Sequence, residues 1–419
     1  MERALLVTIK VGSEKNDWQL DDLAQELEEL AVSCAAEVVD NIPCLRDKPT
    51  PNFFIGKGKA EEISFLCQEQ QIDTVIFSHD LSGTHQRNLE ELIGKKTIDR
   101  TQLILDIFAR HAKSLEGKMQ VELAQLEYLM PRLVGKGIML SRLGGGIGTR
   151  GPGEQKLEID RRHIRRRIEK LRDDLENVSL HRQLLRKKRK DKAIPAVALV
   201  GYTNAGKSTL INALTGATQI VHNSLFTTLD PISKSLHLEN GENVVISDTV
   251  GFLHNLPHHL IEAFKATLEE VKEADLLIHV LDISHPRVYE HEQAVITVLK
   301  ELGADQIPTI TALNKTDLLP DQNWLARFQQ DFPNSVPISA KSSQNLDALL
   351  EKIQSTFHSR SALLEVSIPN TRMDLVNLFY QEGSVQEIIY FYNEIKIKVN
   401  MPKSLIPKLL QNKDIKQIN

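Results

Sequence analysis

Apolar positions along the chain switch between two periods, and the switches divide it. Ala4 to Lys10 alternates and predicts a strand, Leu20 to Ala31 repeats at helical spacing, and Ala36 to Pro43 returns to strand. Lys59 to Glu69 then predicts a helix and Ile72 to Phe77 a third strand. Such alternation predicts a small α/β layer with a largely parallel sheet over residues 1–98. From about Arg100 the period lengthens. Phe108, Ala112, Leu115, Met119, Leu123, Leu126 and Met130 recur at spacings of four and three, predicting one long helix that ends at Pro131. A second seam, Leu157, Ile164, Ile168, Leu171, Leu175, Val178 and Leu185, predicts another helix from near Glu154. Two long seams joined by one loop predict an antiparallel helical hairpin over 99–192. At ~1.5 Å per residue its tip stands several tens of ångströms from its base.

Beyond the hairpin, short apolar runs alternate with polar strand ends. Ala193 to Val200, Asn243 to Ser247, Pro308 to Leu313 and Val336 to Ile338 each predict a strand, within a domain spanning 193–360. Strands at Leu363 to Ile368, Val385 to Tyr392 and Glu394 to Val399, with a helix around Met373 to Tyr380, predict a small α/β appendage over 361–419. The appendage carries no catalytic constellation.

The chemistry begins where the first of these four strands ends. Gly201-Tyr202-Thr203-Asn204-Ala205-Gly206-Lys207-Ser208-Thr209 follows it and leads into Leu210 to Leu214, which reads as the start of a helix. The spacing G-x-x-x-x-G-K-[ST] between strand and helix is that of a phosphate-binding loop. Gly201 and Gly206 let the backbone curl so that successive N–H groups point inward, and the helix N-terminus adds its positive end. In that setting Lys207 reaches the β and γ phosphates and the Ser208 hydroxyl holds Mg²⁺. A glycine-rich turn that matches by chance is the plain alternative, and the flanking strand and helix argue against it.

Three later stretches turn a phosphate binder into a candidate GTPase with an α/β fold and a mostly parallel sheet. Asp248-Thr249-Val250-Gly251 ends a strand with a carboxylate for the Mg²⁺ shell and a glycine to meet the γ-phosphate. Asn314-Lys315-Thr316-Asp317 ends another. An Asp edge-on to a purine accepts from the N1–H and exocyclic amine of guanine, and adenine offers no such pair, so ATP is disfavoured. Ser339-Ala340-Lys341 follows the last strand, with backbone donors for the guanine O6.

Composition narrows the setting. At 419 residues the chain has room for two to four domains, and 41% hydrophobic with 26% charged residues is ordinary for a globular protein. Cys34, Cys44 and Cys67 have no metal or disulfide spacing and suit a reducing cytoplasm. No apolar run spans a membrane, and residues 1–10 lack the character of a signal peptide. A cytoplasmic monomer is expected, with peripheral membrane association an open alternative. The net charge of −5 hides a segregation: Arg161 to Lys192 holds fourteen Lys/Arg against five Asp/Glu, a surplus of nine, so the rest carries −14. The block is either an electrostatic footprint for nucleic acid or a solvated helix face. At the hairpin tip, residues 132–153 contain eight of the 21 glycines, four cations (Arg132, Lys136, Arg142, Arg150) and no acid. Flexible linkers seldom carry unopposed cations, and arginines suit phosphates and stacked bases, which favours an RNA-inserting tip over a linker.

Several stretches resemble HflX-type GTPases. They are Asp99-Arg100-Thr101 with Leu103 to Ala109, Glu116 to Leu126, Leu140-Ser141-Arg142, Gly144 to Glu154, and Asp160-Arg161-Arg162. The resemblance covers nearly the whole chain and departs from the usual residues at His111, Leu143, Gln155, Lys156 and Thr227. It implies that the N-terminal layer and hairpin bind the large ribosomal subunit and its 23S-type rRNA, with the tip near the peptidyl transferase region. It further implies that the GTP-bound protein splits stalled or idle 70S-type ribosomes, particularly under stress. An ATP-dependent activity of the N-terminal region is also associated with the family. Gly56-Lys57-Gly58-Lys59, before a predicted helix, could touch a phosphate there, and a turn with solvated lysines is the plainer reading.

With this help Leu225-Phe226-Thr227-Thr228-Leu229-Asp230-Pro231 is identified as switch I, with Thr228 completing Mg²⁺ coordination and Thr227 the alternative one residue away. Lys207, Thr228 and Gly251 are the expected catalytic set. After Gly251, where some GTPases carry a water-orienting Gln, stands Phe252, which predicts slow basal turnover raised by a partner. Asn204 resembles GTPases that bind K⁺ beside the phosphates. His254, His258 and His259 follow the switch and are read as solvent-facing side chains. Competing functions are a ribosome-assembly GTPase acting on immature large subunits and an RNA-binding or remodelling protein whose nucleotide site is regulatory.

Overall fold

The computed structural model describes residues 2–12, 18–133, 152–191, 194–216, 225–226, 232–238, 243–254, 265–319, 321–358, 361–403, 405–412 and 414–418. They form two compact units: 1–178 with 222–230 and 256–265, and 179–221 with 231–255 and 266–419.

In the first unit, β1 (Glu2–Val11), β2 (Ala36–Arg46), β3 (Thr74–Phe77) and β4 (Lys96–Asp99) form a parallel sheet in the order β2-β1-β3-β4. Alternate β1 residues Leu5, Val7, Ile9 and Val11 pack in one core with Ile63 and Cys67 of α2 (Lys57–Glu69) and Leu89 and Ile93 of α3 (Gly83–Ile93). Each aliphatic side chain buried there contributes about 1.5–3 kcal/mol. α1 (Leu20–Ser33) packs on β1, β2 and α4 (Arg100–His111). Gly56 caps α2 at φ +87°, and Lys57 and Lys59 pair with Glu61 and Glu62 in their own helix. The Gly56 to Lys59 stretch is therefore a helix start with its lysines already engaged.

The seam running on from Phe108 is two helices rather than one. Ala112 turns extended (ψ 110°), and α5 (Leu115–Arg132) opens afresh on Ser114, whose hydroxyl accepts the Gly117 amide at 2.8 Å. A helical repeat carried across a short break looks continuous in sequence; the capping serine is the feature that marks the break. Pro131 lies inside the last turn of α5.

α6 (Pro152–Asp191) is a single helix of 40 residues, about 60 Å long. Arg167 and Arg172 tie it to Glu122 and Glu127 of α5 at 2.6–2.7 Å. Of its predicted seam, Ile168 and Leu171 are buried and Ile164, Leu175 and Val178 half-buried; the side chains of Leu157 and Leu185 lie outside the described residues. Most of the predicted tip, residues 134–151, lies outside them too.

One tip cation is placed, and its role differs from the expected one. Arg132 points into the first unit. Its guanidinium pairs with Asp99 at 3.0 Å, donates to the Leu81 and Tyr128 carbonyls, and covers the Tyr128 ring at 3.4 Å. Asp99, 1% exposed, also accepts from the Leu81 and Gln102 amides. Burial raises its carboxyl despite these bonds, so it needs its cation. Arg132 is an anchor of the arm's base and is withdrawn from the RNA-facing set.

In the second unit, β5 (Ala196–Val200), β6 (Ile232–His237), β7 (Asn243–Asp248), β8 (Leu276–Asp282), β9 (Thr309–Asn314) and β10 (Ser335–Pro337) form a sheet in the order β10-β9-β8-β5-β7-β6. All pairs are parallel except β6 with β7. Val197, Leu199 and Ile278 share one core with Leu210 and Ile211 of α7 (Lys207–Thr215) and Leu349 and Ile353 of α11 (Leu346–His358). Leu281 packs instead with Val288 of α9 (Val288–Leu302) and Phe328 of α10 (Gln322–Asp331). α8 (Lys265–Lys272) completes the domain. The chain leaves β5 to build one side of the sheet and then the other, which opens a crevice at the carboxyl ends of the strands.

β11 (Ser361–Pro369), β12 (Ser384–Tyr390), β13 (Glu394–Pro402) and β14 (Lys416–Gln417) make a separate antiparallel sheet. It packs on Leu375, Val376 and Phe379 of α12 (Met373–Glu382), with α13 (Ile406–Leu410) beyond. Among the described residues no helix is long and apolar enough to cross a membrane.

Candidate nucleotide site

All the predicted motifs in this unit fall at the carboxyl ends of β5, β7, β9 and β10, where the crevice opens. Gly201 takes φ +156° so close to β8 that a Cβ would lie 2.3 Å from the Val280 carbonyl. Gly206, at φ +97°, would set one 2.3 Å from Asn314 Nδ2. Only glycine permits either approach. Asn204 is exposed at φ +59°, a conformation asparagine tolerates.

Lys207 opens α7 and is buried. Its ammonium donates to the Gly201 and Tyr202 carbonyls at 3.0 and 2.8 Å, inside the loop a phosphate would occupy. Burial pushes it down to about 8, against the pull of Asp248. A polyphosphate would supply the negative charge that the loop carbonyls replace only in part. Ser208 donates to Asp248 at 2.6 Å, so two hard oxygen ligands already meet at one point beside the loop, and the pair fits Mg²⁺. Gly251 closes the other wall. A Cβ there would lie 2.8 Å from Thr203 Cα and 3.1 Å from Lys207 Nζ.

The stretch that follows Asp248-Thr249-Val250-Gly251, here called switch II, begins zipped to the loop. Phe252 N–H donates to the Gly201 carbonyl, Thr203 N–H to the Phe252 carbonyl, and His254 N–H to the Tyr202 hydroxyl at 3.0 Å. The Tyr202 ring stacks on His291 of α9 at 3.9 Å, and burial, with His285 close by, holds that imidazole neutral at about 3. His254 is thus half-buried against the loop rather than solvent-facing, and His258 and His259 lie outside the described residues. The Phe252 side chain is fully buried.

At the base-binding end Asn314 is a strut. Its amide donates to the Ala205 carbonyl at 2.8 Å and its oxygen accepts the Ala340 N–H at 2.9 Å, so that donor is spent inside the protein. Lys315, at φ +66°, pairs with Asp282 at 2.6 Å. Asp317 is exposed, with one carboxylate oxygen held at 2.6 Å by the Ser339 hydroxyl, and Lys341 is exposed beside it. Asp282, Ser339 as a positioner of Asp317, and His291 carried no motif. Strand-end position was the one available signal for Asp282.

Three predicted contacts turn inward. The Thr249 hydroxyl donates to the Leu199 carbonyl at 2.6 Å and Val250 is 1% exposed, so their side chains face the core. Phe226 belongs to the first unit, where its ring meets Phe108 edge-on at 4.5 Å and Leu225 N–H donates to Ser33 Oγ. Its side chain is closed to a nucleotide. Thr227 and Thr228 lie outside the described residues.

A glycine cradle built for phosphate at the end of β5 makes the six-stranded-sheet part of the second unit a P-loop GTPase domain, and the protein hydrolyses GTP. Its sequence is matched by family models along its length: GTP-binding GTPase N-terminal over 21–109, GTP-binding GTPase Middle Region over 111–189, and 50S ribosome-binding GTPase over 196–315. GTPase HflX of Caldanaerobacter subterraneus is 47% identical over 96% of this chain and 91% of its own. GTPase HflX of Escherichia coli is 41% identical over 96% and 94%. A GTP-binding protein of Sulfolobus solfataricus, solved with GDP, is 27% identical over 85% of this chain and 98% of its own, with a TM-score of 0.45. The chain belongs to the GTPase HflX family.

Proposed function

We propose that this GTPase binds the large ribosomal subunit through its N-terminal layer and helical arm, and couples GTP binding and hydrolysis to splitting stalled or idle ribosomes under stress. The observation that carries the reading is the sorting of the basic block on α6. Arg167, Arg172, Arg182 and Arg186 pair with acids of the protein, whereas Arg162, Arg165 and Arg166 are exposed along the helix. Exposed arginines on a long rigid helix suit rRNA phosphates. A family description naming the 50S ribosome supports the same partner.

Within the site, Lys207 and the loop amides would neutralise phosphate charge, Ser208, Asp248 and Thr228 would hold Mg²⁺, and Gly251 would meet the γ-phosphate. Mg²⁺ bound there would supply further neutralisation of phosphate charge. Phe252, buried, does not orient the attacking water, so turnover is slow until a partner rearranges the switch. Asn204 is assigned to K⁺; equal hydrolysis rates in KCl and NaCl would remove that assignment.

Sucrose-gradient sedimentation of intact ribosomes with the protein under GTP, GDP and a nonhydrolysable analogue tests the function. Release of subunits only with GTP or its analogue is expected. Binding confined to immature large subunits would favour assembly, and RNA binding indifferent to nucleotide would favour a remodelling protein.

A further inference from the structure

α6 is fastened twice, and the fastenings differ. Its pairs with α5 carry more exposed arginines, Arg167 at 44% beside Glu122 at 41% and Arg172 at 61% beside Glu127 at 20%, so screening leaves them weaker. Further along, inside the second unit, Arg186 grips α8: Nη2 and Nε reach Glu270 Oε1 at 2.7 and 3.1 Å, and Nη1 reaches Glu269 Oε2 at 3.1 Å. Arg182 adds a contact to Glu269 at 3.4 Å. These four side chains are only 11–20% exposed. A planar guanidinium shared between two occluded carboxylates fixes direction as well as distance.

The place of this cluster in the chain gives it a use. α6 ends at Asp191, just before β5 and the phosphate loop, and α8 starts at Lys265, fourteen positions after Gly251. α8 is seated by Leu268 and Val271, 2% and 0% exposed. A continuous helix can transmit axial displacement, and a guanidinium held by two occluded carboxylates links it to α8.

We propose that Arg182, Arg186, Glu269 and Glu270 are positioning residues through which displacement of α6 reaches the switch II segment, altering turnover rather than nucleotide affinity. This rests on the reading of α6 as the ribosome-facing arm. None of the four is among the residues placed in the nucleotide crevice above, so neutralising them leaves basal hydrolysis and the KM for GTP within about twofold.

The test compares the full chain with Arg186→Gln, Glu270→Gln, the double variant and Arg186→Lys. Hydrolysis is measured with and without purified large subunits, and docking by co-sedimentation. Each single neutral change should leave docking intact and cut subunit-stimulated kcat about tenfold, and the double variant should be no worse than either single one. Arg186→Lys should recover part of the stimulation. Wild-type stimulation in the single variants, or additive losses in the double, overturns the coupling. Hydrogen exchange on the protein alone separates this from the ribosome reading. Amides of 179–187 should differ between GDP and a nonhydrolysable GTP analogue in the wild type and not in Arg186→Gln. Identical exchange in the wild type overturns the coupling, whereas a nucleotide-dependent difference without ribosome docking upholds it and counts against the partner.

Discussion

Replacing Arg132 by methionine removes a cation from a carboxylate that has almost no access to water. Asp99 is 1% exposed and keeps its bonds from the Leu81 and Gln102 amides and from the Tyr128 side chain, and Tyr128 loses the guanidinium that covers its ring. Stranding one member of a buried pair costs ~3–5 kcal/mol. For a unit of about 200 residues that lowers the melting temperature by roughly 6–20 °C. Protonation of Asp99 would relieve the stranded charge. Burial already raises that carboxyl above its ordinary value, and without Arg132 it rises further, so the deficit should shrink as pH falls through the raised value. The double variant Asp99→Asn/Arg132→Met should be less damaged than Arg132→Met alone. Thermal melts across a pH series, on protein without ribosomes, measure all of this. An Arg132→Met protein that melts like the wild type but loses ribosome docking would mean the arginine serves RNA after all.

Asn314→Ala leaves the Ala205 carbonyl and the Ala340 N–H without their partner, at ~1–3 kcal/mol each, so GDP affinity by calorimetry should fall at least tenfold; a change under threefold would refute the strut. Asp317→Asn should move preference from guanine towards xanthine nucleotides in competition binding, and retained GTP selectivity would sink the base-recognition assignment. His279 and His291 are held neutral by burial at about 4 and 3, well below an unfolded histidine. Their contribution is complete above about pH 6.5 and is lost as pH falls towards those values, by roughly 2 kcal/mol each at pH 5. His291→Phe keeps a ring against Tyr202 and should remove about half of that acid sensitivity in denaturation curves; an unchanged slope would show that other groups cause it.

The nucleotide site was largely legible in sequence because its parts are local. A strand followed at once by Gly201 to Thr209, or by Asn314 to Asp317, places its own functional groups at a sheet edge, and short-range spacing records that. Periodicity likewise marked β1, α1, β2, α2 and β3 to within a few residues and missed α3 and β4. It misread the run from Phe108 as one helix because a repeat carried past Ala112 hides a break that only Ser114 marks.

What sequence alone determined, then, is the type of the elements it predicted and the strand-end placement of the motifs read for phosphate, metal and base, since these depend on neighbours a few positions apart. What tertiary structure decided is which charges remain free. Arg132 meets Asp99 across 33 positions and Arg186 meets Glu270 across 84, while Arg162, Arg165 and Arg166 in the same basic block stay exposed. An arginine's role depends on the carboxylate it reaches, and a partner that distant in the chain is brought close only by folding.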